Sequence, residues 1–327
     1  MTATARFLYV ASLKSNDIAT YALDAASGRL TEILPRMAAG ADPFALALHP
    51  SGAFLYVANG DSDNVSVFVV HARTGVLAPA QTIAAGSKPR AIAIPPSGKF
   101  VYVANAGADS LSLYSVHPRA GTLTPAGTAA AGRFPLALAL HPSGRFAYVA
   151  NGDSDDVGTY AVAADTGALK RTAFEYTGKR PIFLAVDPSG RLAYVTNLVS
   201  NDISQYRIEK RTGALTSAGK VLAGTRPRSV AVHPSGRFVY VANAVSSDLI
   251  VYRADSKTGV LTQIQRRGAG GKQPVSISVD PSGRFAYTAN LGSSNVSLYA
   301  IENATGTLAL VQTVGAGKEP VSIVLKP

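Results

Sequence analysis

The sequence predicts an all-β fold, a seven-bladed β-propeller with four antiparallel strands per blade, and three observations predict it. A Pro-Ser-Gly turn recurs at Pro50, Pro96, Pro142, Pro188, Pro234 and Pro281. The tyrosine of the strand that follows recurs at Tyr9, Tyr56, Tyr102, Tyr148, Tyr194, Tyr240 and Tyr287, spaced by 46 residues and twice by 47. A Gly turn precedes the last strand of each repeat, at Gly28, Gly75, Gly121, Gly167, Gly213, Gly259 and Gly306. Seven copies of a unit of roughly 40–50 residues with about four short strands form the pattern of propeller blades. A length prior of roughly 150 residues per domain would divide the chain. No composition shift or linker interrupts the period, so residues 1–327 read as one propeller domain.

Residues 7–12, FLYVAS, are rich in aromatic and β-branched side chains and alternate as a strand does. The polar loop Lys14-Ser15-Asn16-Asp17 leads to a second strand at 18–23, and the turn Ala26-Ser27-Gly28 to a third near 30–36. Gly40-Ala41-Asp42-Pro43 then opens FALALH, 44–49, the innermost strand of the first complete blade. Each later blade repeats this order: an inner strand after Gly-x-x-Pro, the Pro-Ser-Gly turn, Tyr-Val-Ala-Asn, a polar loop, a third strand, a Gly turn and an outer strand. The chain starts without an inner strand and ends on one, PVSIVLKP at 320–327. That last strand is expected to complete the first blade, which covers the sheet edge each end would otherwise expose. Small residues alternate along the inner strands, as in Ala45/Ala47, Ala91/Ala93, Ala137/Ala139 and Ser276/Ser278, where neighbouring sheets converge on the axis. Phe183 interrupts that series; it either packs locally or narrows the channel and stacks on a ligand.

With 47% hydrophobic and 16% charged residues the chain is globular, and no apolar run reaches the roughly 20 residues a membrane helix needs. The first residues, MTATARFLYVAS, carry no basic segment followed by an apolar one and a cleavage site. The expectation is a soluble, cytoplasmic protein, or a periplasmic one if the sequence as given has been trimmed. The absence of cysteine agrees with a reducing compartment and removes disulfides and thiolate metal sites. A closed ring needs no partner for stability, so a monomer is expected.

The net charge of +11 favours anionic partners. The Gly-x-x-Pro loops, which share one face with the loops after the Tyr strands, carry Lys88, Arg90, Arg133, Lys179, Arg180, Arg226, Arg228, Lys272 and Lys318. Converging guanidinium and ammonium groups suit the phosphate or carboxylate of a small molecule. Arg90 and Arg228 directly follow Pro89 and Pro227, begin inner strands, and are expected to point at the axis. The alternative is pairing with acids of the adjoining loops, among them Asp61, Asp63, Asp153, Asp155, Asp156, Asp202 and Asp248. Asp42 and Glu319 precede the Pro of their loops, as Lys88, Arg180 and Arg226 do. A carboxylate there is either a general base beside the basic cluster or a surface counter-charge.

The loops at 59–64 and 151–156 resemble calcium ligands but lack the glycine and distal glutamate of an EF-hand, and Asx turns account for them more simply. No metal and no cofactor is expected. On the opposite face Lys99, Arg145, Arg191, Arg237 and Arg284 follow the Pro-Ser-Gly turns. They read as a solvated rim, and nucleic acid is not expected because no aromatics interleave with them. His49, His141 and His233 end inner strands on that face, and none of the five histidines is at the mouth. There is no Gly-x-Ser-x-Gly elbow, phosphate-cradling Gly-Lys-Ser/Thr loop, His-Glu-x-x-His or dinucleotide fingerprint.

The repeated Tyr-Val-Ala/Thr-Asn strand, literally YVTN at 194–197, with Pro-Ser-Gly-Arg-Phe and Thr-Gly-x-Leu, resembles the seven-bladed lactonase-type propellers. That family includes the bacterial 6-phosphogluconolactonases. The resemblance covers the whole chain and implies hydrolysis of a sugar lactone over the channel mouth, with basic residues on its phosphate and water activated without metal. Those enzymes tend to follow the loop Pro with Arg or Thr and then His, whereas Arg90 and Arg228 are followed by Ala91 and Ser229. The arginines carry over and the imidazoles do not; the site expected here has Arg90, Arg228, Arg180, Arg226, Lys88 and Phe183 on the substrate and Glu319 or Asp42 activating water. A propeller of the same repeats that binds a ligand or protein without catalysis is the other reading, and fold does not decide between them.

Overall fold

The strand carrying each Tyr-Val-Ala-Asn motif is buried along its whole length, so both of its faces must be apolar or hydrogen-bonded. Such strands, Phe7–Ser12, Phe54–Asn59, Phe100–Asn105, Phe146–Asn151, Leu192–Asn197, Phe238–Asn243 and Phe285–Asn290, are the second in their sheets. A computed structural model describes residues 6–326 and arranges them as seven four-stranded sheets. Within each sheet the strands are antiparallel neighbours in chain order from the axis outward.

Blade 1 is the exception in connectivity. Its strands Phe7–Ser12, Asp17–Leu23 and Leu30–Ala38 are joined by Pro320–Lys326, which pairs antiparallel with the first, Tyr9 opposite Val324. The closure predicted for the final strand is therefore observed, with Pro327 and residues 1–5 outside the described residues. The third strand runs to Ala38, past the expected 36, because a register shift between Ile18 and Thr20 lets the paired edge continue to Asp17.

Between blades the packing is aromatic, with a hydrogen bond at its centre. The Tyr hydroxyls of 9, 56, 102, 148, 240 and 287 donate to the carbonyls of Gly75, Gly121, Gly167, Gly213, Gly306 and Gly28, each in the next blade, at 2.8–3.1 Å. A buried hydroxyl without a partner costs about 1–3 kcal/mol, so these bonds keep the rings tolerable inside the core. The residue ending each such strand, Asn in six of them and Ser12 in the first, is buried as well. Asn151 accepts from the Gly132 amide and donates to Asp156, and a Cβ on Gly132 would lie 2.6 Å from the Asn151 carboxamide. This close approach is why the loop begins with glycine.

The small inner-strand residues let neighbouring sheets meet. Ser229 and Ser322 accept from the amides of Ile277 and Leu46 on the adjacent inner strands, both at 3.2 Å. Among the described residues no helix is long and apolar enough to cross a membrane.

Candidate functional site

Every Gly-x-x-Pro loop turns through a left-handed residue just before its proline: Asp42, Lys88, Phe134, Arg180, Arg226, Gln273 and Glu319, with φ between 50° and 58°. Such a backbone is costly for a residue with a side chain, and a hydrogen bond from the preceding blade offsets the cost. The amide of Asp42 donates to Asn16, Lys88 to Asp63, Phe134 to Asp109, Arg180 to Asp155 and Arg226 to Asn201, at 2.7–3.0 Å. Gln273 and Glu319 use Ser247 and Ser294 at 3.2 and 3.5 Å. Seven side chains are thereby set around one rim. In the two acidic loops Asp63 and Asp155 thus bond to the next blade's loop, while Asn64 and Asp156 accept from Asn59 and Asn151 five residues back, in place of the Asx turns expected from sequence.

Inside that rim lies the end of the axial channel, a cavity of about 170 Å³ lined by inner-strand residues that include Phe44, Arg90, Phe183, Arg228, Ser276 and Ser322. Both arginines expected at the axis are there. Their surroundings differ. Arg90 Nη1 donates to Asp42 Oδ2 at 2.5 Å, and its guanidinium lies 4.4 Å from the centre of the Phe44 ring. Gly60 leaves room for this pair, since a Cβ there would lie 2.5 Å from Asp42 Oδ2.

Arg228 is half-buried and has no ion pair or side-chain hydrogen bond among the described residues. Burial lowers its pKa from the ordinary guanidinium value, and the charges of Arg226, Arg180 and Arg90 lower it further. A guanidinium stays protonated through such a shift, so the mouth holds a positive charge with no counter-charge of its own.

The remaining singled-out residues occupy the rim. Arg180 and Arg226 are exposed, Arg180 lying 5.8 Å above the Phe134 ring, and neither forms an ion pair among the described residues. Lys88 is exposed and likewise unpaired. Glu319 is half-exposed, with Lys14 Nζ at 3.4 Å. Phe183 keeps 38% of its surface exposed and faces the channel, so it is no ordinary core residue. Lys179 does pair with an adjoining acid, Asp155, at 2.8 Å. Phe44 and Phe134 were not anticipated. The signal was available: they stand at the repeat positions of Arg90 and Lys88 in blades 2 and 4.

On the opposite face the three histidines are structural. Each Nδ1 meets the Ser Oγ of its own turn, and Nε2 of His49, His141 and His233 meets the carbonyl of Gly98, Gly190 and Gly283. The arginine rim is not merely solvated there. Arg145, Arg237 and Arg284 stack on Phe146, Phe238 and Phe285 and donate to carbonyls of Arg211, Ala304 and Ala26.

Solved structures share this fold along the whole chain. A Bacteroides fragilis protein provisionally assigned as a 6-phosphogluconolactonase is 19% identical with a TM-score of 0.89, covering 100% of this chain and 99% of its own. A Lactobacillus plantarum protein is 24% identical with a TM-score of 0.89, covering 99% and 100%. The periplasmic gluconolactonase of Pseudomonas aeruginosa is 21% identical with a TM-score of 0.85, covering 98% and 99%. At these identities the likeness is one of fold. A search of curated proteins matches none. The family description "Lactonase, 7-bladed beta-propeller" matches residues 1–94, 78–185 and 184–325. With nearly the whole chain matched, a ring of seven four-stranded sheets and a cationic channel mouth, this chain belongs to the seven-bladed beta-propeller lactonase family.

Proposed function

We propose that the protein hydrolyses an anionic sugar lactone of the 6-phosphogluconolactone type at the channel mouth. The observation that carries this reading is Arg228, a half-buried guanidinium on the channel wall with no carboxylate partner among the described residues. An anion entering there gains a charge-assisted, bidentate contact without first breaking an ion pair. Arg180 and Arg226 close over the anion from the rim, Arg90 offers the guanidinium edge that Asp42 leaves free, and Lys88 adds charge at the edge. The cavity is smaller than the roughly 300–1,000 Å³ of enclosed ligand sites, so the ligand inserts its anionic end and lays its ring on the rim, against Phe183.

Asp42 is committed to Arg90, which makes it a positioning group for that arginine. Among the described residues the Glu319 carboxylate has only the exposed Lys14 as a charged partner, and it serves as the base. Its carboxylate takes a proton from water as the water oxygen adds to the lactone carbonyl carbon. The endocyclic C–O bond then breaks, the departing ring oxygen takes the proton back from Glu319, and the product is the open-chain hydroxy acid.

Acid release from 6-phosphogluconolactone, corrected for spontaneous opening, tests the reading. Arg228→Ala is expected to lower kcat/KM by at least about 30-fold, the effect of removing one partner from a desolvated charge contact. Glu319→Gln is expected to lower kcat by roughly 10²-fold or more with KM little changed. A wild-type rate equal to the blank ends the proposal for this substrate. A second reading, ligand binding without hydrolysis, is favoured by the absence of an imidazole at the mouth, where Ala91 and Ser229 follow the two arginines. It predicts that 6-phosphogluconate binds the wild type, that Arg228→Ala weakens the binding, and that no acid is released.

A further inference from the structure

On the face opposite the mouth, six of the seven blade seams are sealed alike. A Phe at the start of the second strand lies on the Gly turn of the next blade. At Gly213, for example, three ring atoms of Phe146 lie within 2.9 Å of where a Cβ would stand. Blade 5 has Leu192 instead, and at Gly259 only its Cδ2, at 2.8 Å, comes that close. The seam has opened. Tyr194, whose six counterparts each reach a Gly carbonyl, is fully buried, and its hydroxyl has no partner among the described residues. Arg191 precedes Leu192, with no ring on which to stack, and among the described residues its guanidinium reaches only Ser189 Oγ of its own turn, at 3.2 Å.

Two adjoining cavities of about 290 and 450 Å³ open here, with Leu192 in the wall of both; the smaller lies between blades 5 and 6, and the larger extends from this seam across blade 5 to His141, Ser143 and Arg145 of blade 4. The cations lining the larger are Arg145, Arg191, Arg207, Lys210 and Lys257, and among the described residues no carboxylate lines it. The acids nearby are already engaged. Asp187, in the smaller cavity, accepts from the amides of Arg191 and Leu192 and from Ser189. Asp255 accepts from Lys257 and Thr258 amides, and Glu209 from Arg211 and Thr212 amides. None of the five cations has an ion pair among the described residues.

We infer that the blade 5–6 seam is a second anion site, built to take a small, multiply charged phosphate compound. The volume falls within the range of small-molecule sites, and five cations around one cavity match a ligand carrying more than one phosphate charge. This site is independent of the channel mouth and of what happens there.

Calorimetric titration with inorganic pyrophosphate at fixed ionic strength decides the matter. In the Arg228→Ala protein, with the mouth disabled, one site per chain is expected to remain. On that background Leu192→Phe, which fills the seam, and Arg191→Ser with Lys257→Ser, which removes exposed cations, are each expected to weaken binding at least about tenfold. Absence of binding in Arg228→Ala overturns the inference, and so does retention of that protein's affinity by either folded variant. Should Leu192→Phe fail to fold, the double serine variant on exposed side chains decides alone.

Discussion

At the level of single residues, Arg228 is a group the resting protein holds at a cost. Its charge is partly desolvated and repelled by three other arginines, and no carboxylate among the described residues answers it. Replacing it with Met keeps the packing volume and removes the charge, so ligand-free stability is expected to rise by about 1 kcal/mol, a gain of roughly 2 °C in Tm. Adding 6-phosphogluconate should reverse the order, raising the wild-type Tm and leaving Arg228→Met where it was; differential scanning calorimetry with and without ligand reads both. The place of Arg90 and Arg228 at the axis was legible because the proline before each starts an inner strand. Their difference was not. Asp42 lies 48 residues from Arg90 in sequence, and only the rotation from one blade to the next brings their side chains together. Phe183 was legible as an interruption of a small-residue series, but its exposure to the channel had to be seen.

At the level of elements, the tyrosine strand is fastened to its neighbour blade through one hydroxyl. Tyr56→Phe strips the donor from the Gly121 carbonyl, and a loss of about 1 kcal/mol, near 2 °C in Tm, is expected. Tyr194→Phe removes a buried hydroxyl that has no hydrogen-bond partner among the described residues, so its Tm should stay level or rise. The contrast between the two, measured side by side by thermal unfolding, checks that the blade 5–6 seam is built differently. The repeat of tyrosines announced strands plainly, since period and composition are local properties. What the hydroxyls do was hidden, because their acceptors lie in other blades 65 or 66 residues on, or across the closure of the ring. The exchange of Phe for Leu at 192 was visible in the sequence, yet its consequence depends on a glycine turn brought alongside only by closure.

At the level of the whole molecule, the ring is held shut by backbone pairing between Phe7–Ser12 and Pro320–Lys326. A chain ending at Gly315 would leave the first sheet with a bare edge of amides and carbonyls. Such a truncation is expected to abolish the single cooperative melting transition and to elute as aggregate in gel filtration; a sharp transition in a monodisperse sample would show that the clasp is dispensable. The order of manufacture follows from the same clasp. The strand that finishes the first sheet is made after every other described strand, and at roughly 5–20 residues per second the ribosome needs about 15–60 s to travel from Ala38 to Pro320. For that interval the earliest sheet waits with one side open, a target for chaperones and for wrong partners among chains emerging nearby.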